Sequence, residues 1–289
     1  MYDMVHKMRT RIITSKSFTG DKILGAILFE NTMDREIDGL PTAQYLWERK
    51  NIVPFLKVDK GLEDEKDGVQ VMKTMPGLDD LLKRAKTEKQ IFGTKMRSVI
   101  NSANEAGIKN IVQQQFYIAK QIIGHGLIPI IEPEVNIKSP DKEACEDMLK
   151  ANLLEELNKL DESEKVMLKL SLPTKKNHYK ECIDHPNCIC VVALSGGYSR
   201  EEANARLAKQ KNMIASFSRA LSEGLSHNMS DDDFDKTLGE AIDSIYAASK
   251  ASDGCSCGDG CSCCGGVKSS GCCGNGCSCC DGDKTSSTK

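Results

Sequence analysis

The chain has 289 residues, of which 39% are hydrophobic and 28% charged, with a net charge of −3. That is the balance of a globular protein of one or two domains, and it offers no broad basic surface to a nucleic acid. No apolar run reaches the roughly 18 residues a membrane-spanning helix needs. The opening MYDMVHKMRTRI contains Asp3 and no apolar stretch, so it does not read as a secretory signal. A cytoplasmic location is the expectation, with a plastid or another organelle left open by the Arg and Ser residues near the start.

From residue 10 to about 250, short apolar runs alternate with longer amphipathic stretches. The runs are LGAILF (24–29), IVPFLKVD (52–59), QIFGTKMRSVI (90–100), LIPIIEPEV (127–135), KVMLKLSLP (165–173), CICVVALSGG (188–197) and NMIASFSRAL (212–221). Between them lie GLDDLLKRAKTEK, NIVQQQFYIAKQIIGHG and SREEANARLAKQ, whose apolar residues recur three or four apart, as on amphipathic helices. Gly126 stands where a helix C-cap glycine would sit. Ser199 precedes Glu202 by three residues, as in a capping box. Strand, helix, strand, helix points to a parallel sheet covered by helices, either doubly wound or closed as a (β/α)8 TIM barrel. The chain contains neither GxGxxG nor GxxxxGK[ST], which takes support from the nucleotide-binding versions. Polar residues gather at the C-terminal ends of the runs, where barrel active sites lie, and this favours the barrel. Only seven strands are identifiable. MYDMVHKMRTRI reads as a helix that leads into LGAILF with nothing strand-like ahead of it.

Residues two apart on a strand share a face, so three runs carry charged pairs: Lys57 with Asp59, Lys95 with Arg97, and Glu132 with Glu134. In VMLKL, Lys169 stands alone among apolar neighbours. A single strand lysine is most simply a side chain that snorkels to solvent, and Glu-Pro-Glu is compatible with a turn. Several such groups aimed into one barrel mouth would instead form a cationic pocket with two carboxylates, suited to a phosphorylated substrate. A desolvated lysine beside other cations has a lowered pKa, so more of it is the amine that attacks a carbonyl to give an imine. A nearby carboxylate can move the protons. LSGG (194–197) follows a strand with two glycines, which lets backbone N–H groups approach a phosphate, and Arg219 could add a bidentate cation. Neither GxSxG nor HExxH occurs, and the five histidines form no ligand-spaced cluster, so no metal is expected in the barrel.

GAILFENTMDREIDG, VPFLKVDKGL, IFGTKMRS, IPIIEPEVN, VMLKLSLP, LSGGYS and ASFSRAL, in that order over roughly residues 4 to 248, together resemble class I (Schiff-base) fructose-bisphosphate aldolase in its bacterial-type branch. The resemblance implies a (β/α)8 barrel that reversibly cleaves fructose 1,6-bisphosphate to dihydroxyacetone phosphate and glyceraldehyde 3-phosphate, in glycolysis or gluconeogenesis, without a cofactor. It implies that Lys169 is the Schiff-base lysine, Glu132 the main proton-transfer residue and Glu134 its supporting carboxylate. Lys95 and Arg97 match the family's lysine and arginine that assist catalysis and bind phosphate. Lys57 matches a further active-site lysine, with Asp59 beside it. Ser195, Gly196 and Gly197 match the phosphate-binding loop, and Arg219 its arginine partner, with Ser218 where many members carry glycine. The family begins with a strand bearing an active-site aspartate, and that strand has no counterpart here, in agreement with the count of seven. The resemblance also implies a homo-oligomer.

Cysteine usage divides the chain. Cys145, Cys182, Cys188 and Cys190 are scattered through a first part, residues 1–250, and fit a reduced domain in which each is a small packing residue. The other ten crowd into a Cys/Gly/Ser-rich tail, residues 251–289, too poor in apolar residues to fold alone and expected to be disordered. GCSCC occurs twice in it, so Cys261, Cys263, Cys264, Cys277, Cys279 and Cys280 could hold Zn or Cu. Palmitoylation, disulfide cross-linking and an inert extension compete with that reading. Two functional alternatives stand beside the leading one: a Schiff-base aldolase for another sugar phosphate, and a catalytically impaired barrel fragment with a metal-binding tail.

Overall fold

The computed structural model describes residues 2–251. Each of the seven apolar runs contains a strand. These are β1 (Gly25–Phe29), β2 (Val53–Lys57), β3 (Gly93–Ile100), β4 (Ile128–Val135), β5 (Val166–Ser171), β6 (Cys188–Leu194) and β7 (Met213–Ala215). They lie side by side in chain order, and every pairing between neighbours is parallel. A two-residue strand, Val69–Gln70, joins the sheet by pairing antiparallel with the end of β3. The sheet is therefore almost wholly parallel, as the alternation of runs and helices requires.

The principal helices are α1 (Tyr2–Thr14), α2 (Leu78–Thr87), α3 (Glu105–Gly124), α4 (Lys142–Leu157), α5 (Arg200–Leu207) and α6 (Asp231–Lys250). Asn104 caps α3 by accepting from the N–H of Gly107, and Ser230 caps α6 by accepting from Asp233. The C-cap glycine is borne out: α3 ends at Gly124 and Gly126 follows with φ of 72°. The capping box at α5 is half formed. Ser199 accepts from the N–H of Glu202, while the Glu202 carboxylate takes Arg206 one turn on instead of reaching back.

Alternation along the strands separates two layers. Leu56, Met96, Ile100, Ile131, Leu168, Leu170, Val191 and Ala193 face the helices and meet Leu82, Ile108, Ile111, Phe116, Leu149, Leu153, Leu207 and Leu238 in one continuous apolar cluster. Phe55, Val99, Ile130 and Val192 are buried on the opposite face, which is also the face of the charged strand residues. Among the described residues β1 and β7 remain the two ends of the strand order, each with a single partner strand. The helical layer continues across that position. Arg11 of α1 donates to the carbonyls of His227 and Met229, pairs with Asp231, and stacks its guanidinium 4.2 Å from the Phe234 ring centroid of α6. Ser15 and Ser17 both hold Asp235 of α6. The tail thiols proposed as ligands lie outside the described residues.

Candidate active site

The charged face of the sheet converges at the C-terminal ends of β2 to β5. Register fixes the arrangement: Lys57 of β2 lies opposite Lys95 of β3, and Arg97 opposite Glu132 of β4. Because residues two apart share a face, Lys95 with Arg97, and Glu132 with Glu134, then point the same way. Asp59 lies two residues beyond Lys57, just past the end of β2.

These groups form a continuous chain of opposite charges. Lys57 Nζ donates to Asp59 Oδ1 at 2.5 Å and to the Asp59 carbonyl at 2.9 Å. Asp59 Oδ2 in turn lies 3.6 Å from Lys95 Nζ and accepts from the backbone N–H of Arg97 at 3.2 Å. Lys95 Nζ sits 2.8 Å from Glu132 Oε2, an ion-pair contact whose angle falls outside hydrogen-bonding geometry. Glu132 Oε1 is 3.2 Å from Lys169 Nζ. Arg97 Nε donates to Glu134 Oε2 at 2.6 Å. Asp59, Lys95, Glu132 and Lys169 are each less than 10% exposed. Charges buried this deeply are tolerable only because each has an opposite neighbour.

The surroundings of Lys169 displace its protonation. Burial lowers its pKa most, Glu132 opposes that by holding the ammonium, and the charge of Lys95 lowers it further. The result is a lysine with more neutral amine than an exposed one, 3.2 Å from a carboxylate that can take or give a proton. In the same cluster the Arg97 guanidinium is held above its ordinary pKa, first by its bond to Glu134.

Two clefts flank the cluster. One, of about 420 Å³, is lined by Phe29, Glu30, Asn31, Asp34, Lys57, Asp59 and Lys60 at the ends of β1 and β2. The other, of about 530 Å³, is lined by Gly197, Tyr198, Ser199, Arg219, Ala220, Ser222 and Glu223, after β6 and β7. Here the loop turns sharply, with φ of 63° at Gly196 and 116° at Gly197, and a Cβ on Gly196 would come within 2.6 Å of Ile137. Ser195 is buried at the end of β6, while Ser218 and Arg219 stand exposed beyond β7. The structure therefore brings Lys57, Asp59, Lys95, Arg97, Glu132, Glu134 and Lys169 into one connected cluster. Of the phosphate-loop candidates, Gly197 and Arg219 line a separate cleft after β6 and β7, while Ser195, Gly196 and Ser218 are not among its lining residues. Sequence reasoning missed Asn31 and Lys60 as lining residues, which carry no motif of their own. It also missed the fully buried Gln115, whose signal was legible, since Gln115 falls on the apolar stripe of α3 with Ile108, Ile111, Val112 and Ala119.

Residues 3–185 match the family model described as "Glycolytic: Fructose-bisphosphate aldolase class-I". A Synechocystis protein named "Fructose-bisphosphate aldolase class 1" is 59% identical over 249 residues, which are 86% of this chain and 83% of that protein. Among solved structures, the fructose-bisphosphate aldolase of Plasmodium falciparum, crystallised with TRAP and a small-molecule inhibitor, superposes with a TM-score of 0.68. That match is 22% identical and covers 85% of this chain and 82% of that one. A Corynebacterium glutamicum protein superposes with a TM-score of 0.53 at 10% identity, covering 85% and 75% of the two chains. At those identities the two structures speak for the fold alone.

Proposed function

The chain belongs to the class I fructose-bisphosphate aldolase family, a family of carbon–carbon lyases, and from that premise we propose that it cleaves fructose 1,6-bisphosphate reversibly through an imine on Lys169. The observation that carries the proposal is Lys169 itself: a buried lysine, depressed in pKa and 3.2 Å from Glu132. The neutral amine attacks the substrate ketone, and the carbinolamine loses water to give an iminium ion. Proton removal from the hydroxyl on the far side of the scissile bond lets that bond break. Its electron pair passes into the iminium, leaving an enamine, and the aldehyde product departs. Protonation of the enamine carbon and addition of water release dihydroxyacetone phosphate and restore the amine. Glu132, between Lys169 and Lys95, is positioned to shuttle these protons. Lys95 and Lys57, tied together through Asp59, supply positive charge beside the reacting pair, and Glu134 holds Arg97 in place. In this reading one phosphate lies in the Ser195–Gly197 loop beside Ser218 and Arg219, and Arg97 serves the other.

Borohydride trapping with dihydroxyacetone phosphate, followed by peptide mapping, tests the mechanism. Reduction of the imine leaves a stable amine, so an adduct at Lys169 that is absent in Lys169→Ala is the expected result. Folded protein that yields no adduct would favour the impaired-fragment reading, and faster cleavage of another sugar phosphate would reassign the substrate.

The proposal extends to organisation. Residues 1–250 form the catalytic unit, assembled as a homo-oligomer in the cytoplasm, and 251–289 form a separate thiol-rich segment. Cys261, Cys263, Cys264, Cys277, Cys279 and Cys280 of that segment take up Zn(II) or Cu(I), on the strength of the repeated GCSCC. Metal analysis of the full chain against a 1–250 truncation is the check, and equal metal in both would discard the assignment.

A further inference from the structure

β4 and β5 carry the two groups that react, Glu132 and Lys169, yet these strands share little ladder. Their register runs only through Ile130↔Met167 and Ile131↔Leu168, whereas β3 and β4 stay paired from Gly93↔Ile128 to Ile100↔Val135. The strands part at the residue before Glu132. Pro133 follows, with no N–H to offer a ladder. The Glu132 N–H is satisfied from the other side of the sheet, where Gln115 of α3 accepts it on Oε1 at 2.9 Å. Gln115 is completely buried, and its amide nitrogen donates at 2.7 Å to the hydroxyl of Ser98 on β3, which is also completely buried. The backbone N–H fixes which way the amide faces, since only the carbonyl oxygen can accept it. Further along, Ser171 of β5 donates to the Val135 carbonyl of β4 at 2.7 Å. Side chains thus replace the ladder where the reacting carboxylate is mounted.

We propose that Gln115 is a positioning residue for the reaction: by taking the Glu132 N–H where β4 parts from β5, it fixes the backbone from which the Glu132 carboxylate reaches Lys169 and Lys95. The assignment rests on the reading of Lys169 and Glu132 as the reacting pair. The neighbouring Gln114 supplies the contrast. It makes two backbone bonds, accepting from Met72 N and donating to Met72 O at 2.9 Å each, away from the charged cluster.

The test compares Gln115→Met, Ser98→Ala and Gln114→Met with the parent chain. Gln115→Met keeps volume and removes the acceptor, and the milder Ser98→Ala frees the far end of Gln115. Three quantities are read: kcat and KM for fructose 1,6-bisphosphate cleavage, Tm, and the pH at which Lys169 becomes half-reactive to acetic anhydride with no substrate present. Displacement of a reacting group by an ångström or less is enough to cost on the order of ten-fold or more in rate. Gln115→Met should therefore lose at least about ten-fold in kcat with KM little changed. Because the Glu132 charge holds the Lys169 proton, a displaced Glu132 should also move the labelling midpoint to lower pH. Ser98→Ala should move both readings in the same directions by less, and it decides the matter if Gln115→Met does not fold. Gln114→Met should lower Tm alone. If Gln115→Met and Ser98→Ala leave kcat and the labelling midpoint where Gln114→Met leaves them, whatever happens to Tm, the proposal is overturned. If the parent chain neither cleaves the sugar nor is trapped at Lys169, the proposed function falls, and the labelling midpoint still decides whether Gln115 positions Glu132.

Discussion

Lys169 feels the carboxylates of Glu132 and Glu134 and the competing ammonium of Lys95, and burial outweighs the carboxylates and lowers its pKa. An unperturbed lysine titrates near 10.4. A lowered value means that the nucleophilic form persists to lower pH, so the ascending limb of kcat/KM against pH should lie below that of a free lysine. Glu132→Gln removes the charge that raises the Lys169 pKa. The limb should then move further down while kcat falls, and an unmoved limb would show that another group sets it. Lys169→Arg keeps the cation but cannot form an imine, and is expected to abolish trapping and reduce kcat by about a thousand-fold or more. The barrel thiols behave oppositely. Burial pushes Cys182 and Cys188 up to about 12, so at pH 7–8 neither should react with a thiol reagent until the protein is denatured. Rapid modification of either in the native protein, mapped by mass spectrometry, would contradict that environment.

At the scale of elements, β3 and α3 carry most of the precision. Gly93 opens β3 where the backbone of β4 and the ring of Phe55 come closest. A Cβ there would lie 2.2 Å from the Ile128 carbonyl oxygen and 2.9 Å from the Phe55 ring. The carbonyl belongs to a paired strand and cannot yield cheaply, so Gly93→Ala should cost about 1–3 kcal/mol in urea unfolding. Asn104→Ala removes the N-cap of α3 and should cost about 1 kcal/mol, with activity at permissive temperature kept. A loss of activity from that cap alone would mean that fraying of α3 reaches Gln115, three turns in. The strands themselves were readable in the sequence because a parallel sheet covered by helices buries both faces and writes itself as short continuous apolar runs. The Val69–Gln70 strand was not, since two residues carry no periodicity.

Across the whole molecule, α1 and α6 join the first and last parts of the described chain. Asp231 is almost fully exposed, so its ion pair with Arg11 contributes little. The two carbonyl bonds of Arg11 and its stacking on Phe234 contribute more. Arg11→Ala should lower stability by about 1–2 kcal/mol, read as a fall in Tm. A fall no larger than that of Lys22→Ala, whose pairing with Asp243 is solvent-exposed, would mean that this joint is not what ties α1 to α6.

The sequence by itself determined where the strands and the helices between them lie along the chain and the identity of the charged residues, because these depend on local periodicity and on which side chains can carry charge. It also made Lys169 conspicuous, since a lone lysine inside VMLKL is costly wherever it is buried. Only the tertiary structure decided which charges meet. Register sets Lys57 beside Lys95 and Arg97 beside Glu132, and register is a property of paired strands far apart in the chain. It alone decided that Asp59 bridges two lysines, that Lys169 is desolvated enough to lose its proton early, and that Gln115 reaches through the sheet to the peptide of Glu132. Each of these is a distance between residues on different elements, and a distance of that kind exists only once the sheet has formed.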